Sequence, residues 1–151
     1  MADPFSLAAS VIATIQIADR LVTVCKDYIE SVRDAPSDLR SILLETSAVK
    51  SVLENVGFLL QCDGGQSKML DALTGASAPI EECQKAITDL LGLLPSKHNQ
   101  GNVHGKPKRR RIQLTLEALA WPFKETKARK LLGDIARHKN TMSLALTTDA
   151  A

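Results

Sequence analysis

The sequence predicts an all-α fold, an antiparallel bundle of four to five helices, and three observations support this prediction. Apolar residues recur at steps of three and four along most of the chain, and no stretch alternates with a period of two for long enough to form a sheet. Aromatic residues make up only 3% of the chain, so the core must be largely aliphatic, which suits helix-on-helix packing. The length of 151 residues predicts a single domain over residues 1–151.

Each predicted helix is an apolar, periodic segment that ends at a proline, at glycines or in a polar stretch. The helices are predicted over about residues 6–33, 38–61, 67–73, 79–94, 112–121 and 123–147. Pro36 and Pro95 end two of them, because the residue before a proline is biased out of helical geometry. Pro122 interrupts the helical pattern near the carboxyl end, and the sequence leaves open whether it kinks one helix or separates two.

The first helix has the widest apolar face. Its predicted inward positions are Ala8, Val11, Ile15, Ala18, Val22, Cys25, Ile29 and Val32, with Ile17, Leu21, Val24 and Tyr28 beside them. Residues 4–18 carry no charge at all, although they are too few to span a bilayer by themselves. On the later helices, Leu53 and Ile87 are predicted to be core residues.

The net charge of +2 conceals a strong asymmetry along the chain. Six basic residues lie within fifteen positions that contain no Asp or Glu, and without them the chain has thirteen basic and seventeen acidic residues. They are Lys97, Lys106, Lys108, Arg109, Arg110 and Arg111. We expect residues 96–111 to form a disordered basic loop. Lys106, Lys108, Arg109, Arg110 and Arg111 are candidates for binding anionic lipid or an import factor. A solvated loop is the alternative, and nucleic-acid binding is disfavoured because no aromatic residues are interleaved.

No pattern of catalytic or cofactor-binding residues occurs in the chain. There is no phosphate-binding glycine loop, no HExxH and no GxSxG, and the three histidines are scattered. Cys25, Cys62 and Cys83 are widely spaced and form no CxxC pair, which predicts neither a metal site nor a disulfide framework. We therefore expect a non-enzymatic protein without metal or cofactor, in a reducing cytoplasm.

Several segments together resemble one family. They are residues 3–12 (DPFSLAASVI), 79–84 (PIEECQ), 119–125 (LAWPFKE), 135–139 (IARHK) and 144–149 (LALTTD). Their order and spacing are similar to those of the HeLo-like amino-terminal effector domains of fungal NOD-like (STAND) receptors and ankyrin-repeat proteins. The resemblance covers nearly the whole chain.

This resemblance implies a bundle at the front of a longer receptor, followed by a nucleotide-binding or repeat region. Relatives of the family resemble the four-helix killer domain of the necroptosis pseudokinase, which implies regulated cell death through self-association and targeting to an anionic membrane surface. The domain would then be cytoplasmic and would move to the membrane on activation, while a nuclear-import role of the basic loop would add the nucleus. The implied membrane-inserting helix is the first one, with Leu7, Val11, Ile12, Ile15 and Ile17 as its apolar residues.

Two alternatives to the membrane function follow from the residues themselves. The first helix could simply be a tightly packed core helix, because Asp19 and Arg20 each oppose insertion by about 2.5–3.5 kcal/mol at mid-bilayer. The domain could also be a non-enzymatic adaptor that stays folded and recruits another helical domain without damaging a membrane.

Overall fold

The fold was obtained from a computed structural model, and the predicted all-α class is confirmed. The model describes the backbone of residues 4–31, 36–63, 73, 79–94 and 107–150, and the side chains of residues 6–30, 36–62, 73, 79–94 and 124–147. Four helices make up this part of the chain, and it contains no strand. They are α1 (Pro4–Ser31), α2 (Ser37–Asp63), α3 (Pro79–Leu93) and α4 (Pro107–Ala150).

The four helices form a ring in the order α1, α2, α4, α3. Helix α1 packs mainly against α2 and α3, and α4 packs mainly against the same two helices, so that α1 and α4 are diagonal. The pair Asp19–Lys50 and the approach of Gly57 to Val11 show that α1 and α2 are antiparallel. By contrast, ion pairs from Asp38 to Arg129 and from Glu45 to Lys139 show that α2 and α4 run parallel.

The core is aliphatic, as the low aromatic content predicts. Leu53 on α2 and Ile87 on α3 are fully buried, in agreement with the predicted inward faces. The apolar residues at steps of three and four along α3 and just after it, Ile80, Cys83, Ile87, Leu90 and Leu94, are all buried. On α1 the buried face is turned slightly from the prediction, because Leu7, Thr14 and Leu21 are buried while Ala8, Ile15 and Val22 are only partly covered.

The carboxyl-terminal part of the chain differs from the prediction. Residues 107–111 were expected in the basic loop, yet they are the first residues of α4. Pro107 explains this start, since its fixed φ suits the first helical position and its missing N–H is not needed there. The two helices expected over 112–121 and 123–147 are one helix of 44 residues that contains Pro122. That proline removes a single hydrogen bond, the one to the Ala118 carbonyl, while strong helix formers lie on both sides.

The remaining predicted segments lie outside the described residues. This applies to residues 96–106 of the basic loop and to the short helix over 67–73, of which only Leu73 is described, as a buried core residue. Lys124 of α4 donates a hydrogen bond of 3.0 Å to the Leu93 carbonyl, one of the carbonyls left unpaired at the end of α3. Thus α3 ends level with residue 124, and residues 107–123 of α4 precede this contact.

Candidate functional site

The predicted apolar residues of α1 divide between the core and the surface. Leu7 and Val11 are buried, Ile15 and Ile17 are partly buried against the core, and Ile12 is 55% exposed. The five residues therefore do not form one common face. Four of them contribute to packing in the bundle, and Ile12 points away from it.

Helix α1 has the properties of a membrane-spanning helix and also those of a core helix. Residues 6–30 form a 25-residue segment with mean hydropathy 1.5 in its most apolar window, and about 37 Å of helix exceeds the roughly 30 Å of a bilayer core. It is the one helix in the described part of the chain that is long and apolar enough to cross a membrane. It is also a core helix of the bundle, although only 28% of that window is buried. Its exposed positions include Ala9 and Ile12 in the first half and then polar residues, Gln16, Asp19, Arg20 and Thr23.

Two hydroxyl groups of α1 are already hydrogen-bonded within the helix. Thr14 donates to the Ser10 carbonyl at 2.7 Å, and Thr23 donates to the Asp19 carbonyl at 2.9 Å. Bonds of this kind stay intact when a helix moves from a protein core into lipid, where unpaired polar groups are costly. The side chains of Asp19 and Arg20 are therefore the main polar obstacle to such a move.

An ion-pair cluster joins α1 to α2. The Lys50 ammonium lies 2.5 Å from the Asp19 carboxylate and 3.8 Å from the Glu54 carboxylate. The hydrogen bond to Asp19 raises the pKa of Lys50, so Lys50 stays charged. The side chains of Asp19 and Glu54 are more than half exposed and that of Lys50 is about a third exposed. Such surface pairs contribute little to stability, so the cluster orients α1 more than it anchors it.

Four of the five candidate basic residues belong to a helix. Lys108, Arg109, Arg110 and Arg111 lie in the first turns of α4, with side chains outside the described part of the structure, and Lys106 lies outside it altogether. Helix α4 carries ten basic and four acidic residues, a net charge of +6. The other three helices carry five basic and ten acidic residues, a net charge of −5. The bundle is thus one cationic helix packed against three anionic ones.

A groove of about 280 Å³ lies between α3 and α4. Its floor is formed by Ala86 and Leu131, and charged side chains form its walls. The walls comprise Glu82, Lys85, Asp89, Lys127, Lys130, Asp134, Arg137 and His138, which are four cations and three carboxylates when the histidine is neutral. Arg137 pairs with Asp134 at 3.0 Å. Partial burial, and then the nearby Arg137 charge, lower the pKa of His138 despite the opposing Glu82 and Asp134. The groove was not predicted from the sequence.

Near one end of the bundle, three helices each contain a stretch without charge. Residues 4–18 of α1, 55–62 of α2 and 140–148 of α4 contain no Asp, Glu, Lys or Arg. The contacts between helices place these segments toward the same end of the bundle, and we call them the charge-free belt. Among the described side chains four large apolar ones are exposed, and three of them lie in the belt, Ile12, Phe58 and Leu144. The fourth, Leu44, lies outside it.

Two of the three cysteines are shielded in the folded bundle. Burial raises the pKa of both Cys25 and Cys83 to about 12, so these thiols stay protonated and shielded. Cys62 is exposed. Among the described residues no group of three or more His, Cys, Asp or Glu is arranged to hold a metal ion.

The sequence matches no family model, and no curated protein or solved structure is significantly similar to it. The fold defines the class of the protein, which is a four-helix bundle.

Proposed function

We propose that this chain is the amino-terminal signalling domain of a fungal NOD-like receptor, which self-associates and acts on a membrane to trigger regulated cell death. The observation that carries the proposal is the dual character of α1, a core helix that is also long and apolar enough to cross a bilayer. The family resemblance of the sequence supports the same function. On activation, α1 leaves the bundle and enters the membrane.

The energetics of α1 explain why insertion would require assembly. Asp19 and Arg20 lie near the middle of the 25-residue segment, where each charge costs about 2.5–3.5 kcal/mol. A single copy therefore keeps α1 in the bundle, whereas neighbouring copies of the helix can shelter these charges from lipid. Small residues at Ala8, Ala9 and Ala13 allow helices to approach closely in a membrane.

The cationic helix α4 supplies the attraction to an anionic leaflet. Basic residues near such a surface contribute about 1 kcal/mol each, which supports reversible docking but not insertion. Replacing Lys106, Lys108, Arg109, Arg110 and Arg111 by Gln should weaken sedimentation with anionic vesicles, and raised salt should do the same. Vesicle binding that is unaffected by both the substitutions and the added salt would contradict electrostatic docking.

A second candidate function is an adaptor domain that never opens. It is favoured by the burial of α1, since Val11, Ala18 and Cys25 are at most 1% exposed and would lose all their packing on release. In this case the bundle recruits a helical partner through its surface. Vesicle leakage separates the two functions, because an adaptor leaves vesicles intact.

The buried thiol of Cys83 allows a direct test of opening. In a Cys62→Ser variant, the remaining cysteines are Cys25 on α1 and Cys83 on α3, and both are buried. We expect anionic vesicles to leak and a water-soluble thiol reagent to label Cys83 at the same time, because departure of α1 uncovers α3. Leakage with Cys83 still protected would refute release of α1. If Cys83 stays protected and the vesicles do not leak, the adaptor function is favoured.

A further inference from the structure

The exposed apolar residues of the charge-free belt lie on two opposite sides of the bundle. Ile12 precedes Asp19 by seven residues, and Phe58 follows Glu54 by four, so each shares a helix face with its charged counterpart. Since Asp19 and Glu54 both approach Lys50, Ile12 and Phe58 lie on the α1–α2 side. They are 55% and 65% exposed.

Leu144 lies on the opposite side. It follows Arg137 by seven residues on α4, and Arg137 lines the groove between α3 and α4. In the ring of helices the α3–α4 pair is opposite the α1–α2 pair. Leu144 is 68% exposed, and the hydroxyl of Thr147 beside it is used in a bond of 2.7 Å to the Leu144 carbonyl.

The charges next to these two apolar sites are complementary. Beside Ile12 and Phe58, the cluster of Asp19, Glu54 and Lys50 has a net charge of −1. On the side that carries Leu144, the groove between α3 and α4 has four cations and three carboxylates, a net charge of +1, and three of the cations, Lys127, Lys130 and Arg137, are on α4. On both sides the apolar residues lie toward the belt end of the bundle and the charges toward the other end. Two copies side by side in parallel can therefore match apolar with apolar and acidic with basic.

We propose that a second copy of this chain covers the belt in a parallel, head-to-tail contact. Leu144 and the cationic flank of α4 in one copy pack against Ile12, Phe58 and the acidic cluster in the next. The inference rests on the self-association in the proposed function and specifies its two surfaces. Because the two surfaces differ, a dimer still has one free Leu144 surface and one free Ile12–Phe58 surface. Further copies can bind to these, and such contacts build rings or filaments rather than closed dimers.

Lipid is a poorer occupant of the belt in the folded bundle. Gln16, Asn55 and Gln61 are exposed within it, and hydrocarbon offers their amides no hydrogen-bond partner. A protein surface does offer such partners, and depletion of charge around apolar anchors is typical of interface cores. A single unrelated partner would cover one side only, whereas a repeating assembly covers both.

Sedimentation velocity of the full chain at rising concentration and low salt tests this contact. Phe58→Glu and Leu144→Glu should each weaken association about tenfold or more, since each places an unpaired charge in the contact. Leu44→Glu is the matched control, because Leu44 is 71% exposed on α2 but lies outside the belt. All three positions are on the surface, so the melting temperatures should stay close to that of the wild type.

Mixing the two variants gives the decisive result. The Phe58→Glu chain retains its Leu144 surface, and the Leu144→Glu chain retains its Phe58 surface, so an equimolar mixture should form a heterodimer and nothing larger. A mixture that stays monomeric overturns the head-to-tail contact, as does a wild-type chain that is monomeric at every concentration. Equal loss of association in the Leu44→Glu control overturns the role of the belt. Vesicle leakage is scored separately, so assembly without leakage refutes the membrane function but not this contact.

Discussion

Thr46 carries a buried hydroxyl whose removal should stabilise the fold. The residue is fully buried on α2, and its hydroxyl has no hydrogen-bond partner in the structure. A buried unpaired polar group costs about 1–3 kcal/mol, because it gives up its hydration on folding without a replacement bond. Thr46→Val keeps the shape of the side chain and removes the hydroxyl. We expect the free energy of unfolding to rise by about 1–2 kcal/mol.

Thr14 provides the matched control for this substitution. It is equally buried, but its hydroxyl donates to the Ser10 carbonyl at 2.7 Å. Thr14→Val removes a hydrogen bond worth about 0.5–1.5 kcal/mol, so it should be neutral or destabilising. Urea denaturation with linear extrapolation measures both changes. If Thr46→Val destabilises the protein as much as Thr14→Val does, the Thr46 hydroxyl is bonded in solution and the reasoning fails.

Three further predictions concern the core, the helix backbone and pH. Leu53→Ala should cost about 2–5 kcal/mol in chemical denaturation because it opens a cavity in the fully buried core, and a silent change would contradict the packing. Gly133→Ala should stabilise the fold by about 1 kcal/mol and raise the melting temperature, because alanine favours helix and an added Cβ meets no atom within 4 Å. A lower melting temperature would show that the added Cβ makes an unfavourable contact. Since the pKa of His138 is lowered in the fold, the unfolded chain binds the proton more tightly, and stability should fall as pH drops below about 6.5. His138→Gln should flatten this dependence in melts across pH, and an unchanged slope would assign it to other groups.

How far the sequence predicts this fold depends on how clearly each helix separates apolar from polar residues. Helix α3 has one narrow apolar face, so the period of 3.6 identifies its buried residues without ambiguity. The first half of helix α1 carries no charge on any face, and several rotations about its axis fit the apolar pattern equally well. For this reason Thr14 was not expected in the core, although its hydroxyl is satisfied within the helix.

The surface features were harder to predict because they depend on which helices are neighbours. Phe58 and Leu144 look like ordinary apolar positions until the ring of helices shows that neither faces the core. The charge-free segments of α2 and α4 were nevertheless visible in the sequence. The uncharged stretches of α1, α2 and α4 indicate the belt when they are compared with one another, whereas that of α1 alone does not. High local charge is typical of disordered segments, so the charges of residues 107–111 do not predict the start of α4; Pro107, which suits the first helical position, is the signal that does.

A reversible staple between α1 and α2 tests the release of α1 most directly. A Cβ placed on Gly57 would lie 3.4 Å from the Val11 Cγ1 atom, a separation that suits a disulfide between these two positions. In a Cys62→Ser background, Val11→Cys with Gly57→Cys should form that bond on oxidation and hold α1 in the bundle. We expect the oxidised protein to bind anionic vesicles without leakage and the same protein to cause leakage once reduced. Leakage of equal extent from the oxidised protein would contradict the release of α1.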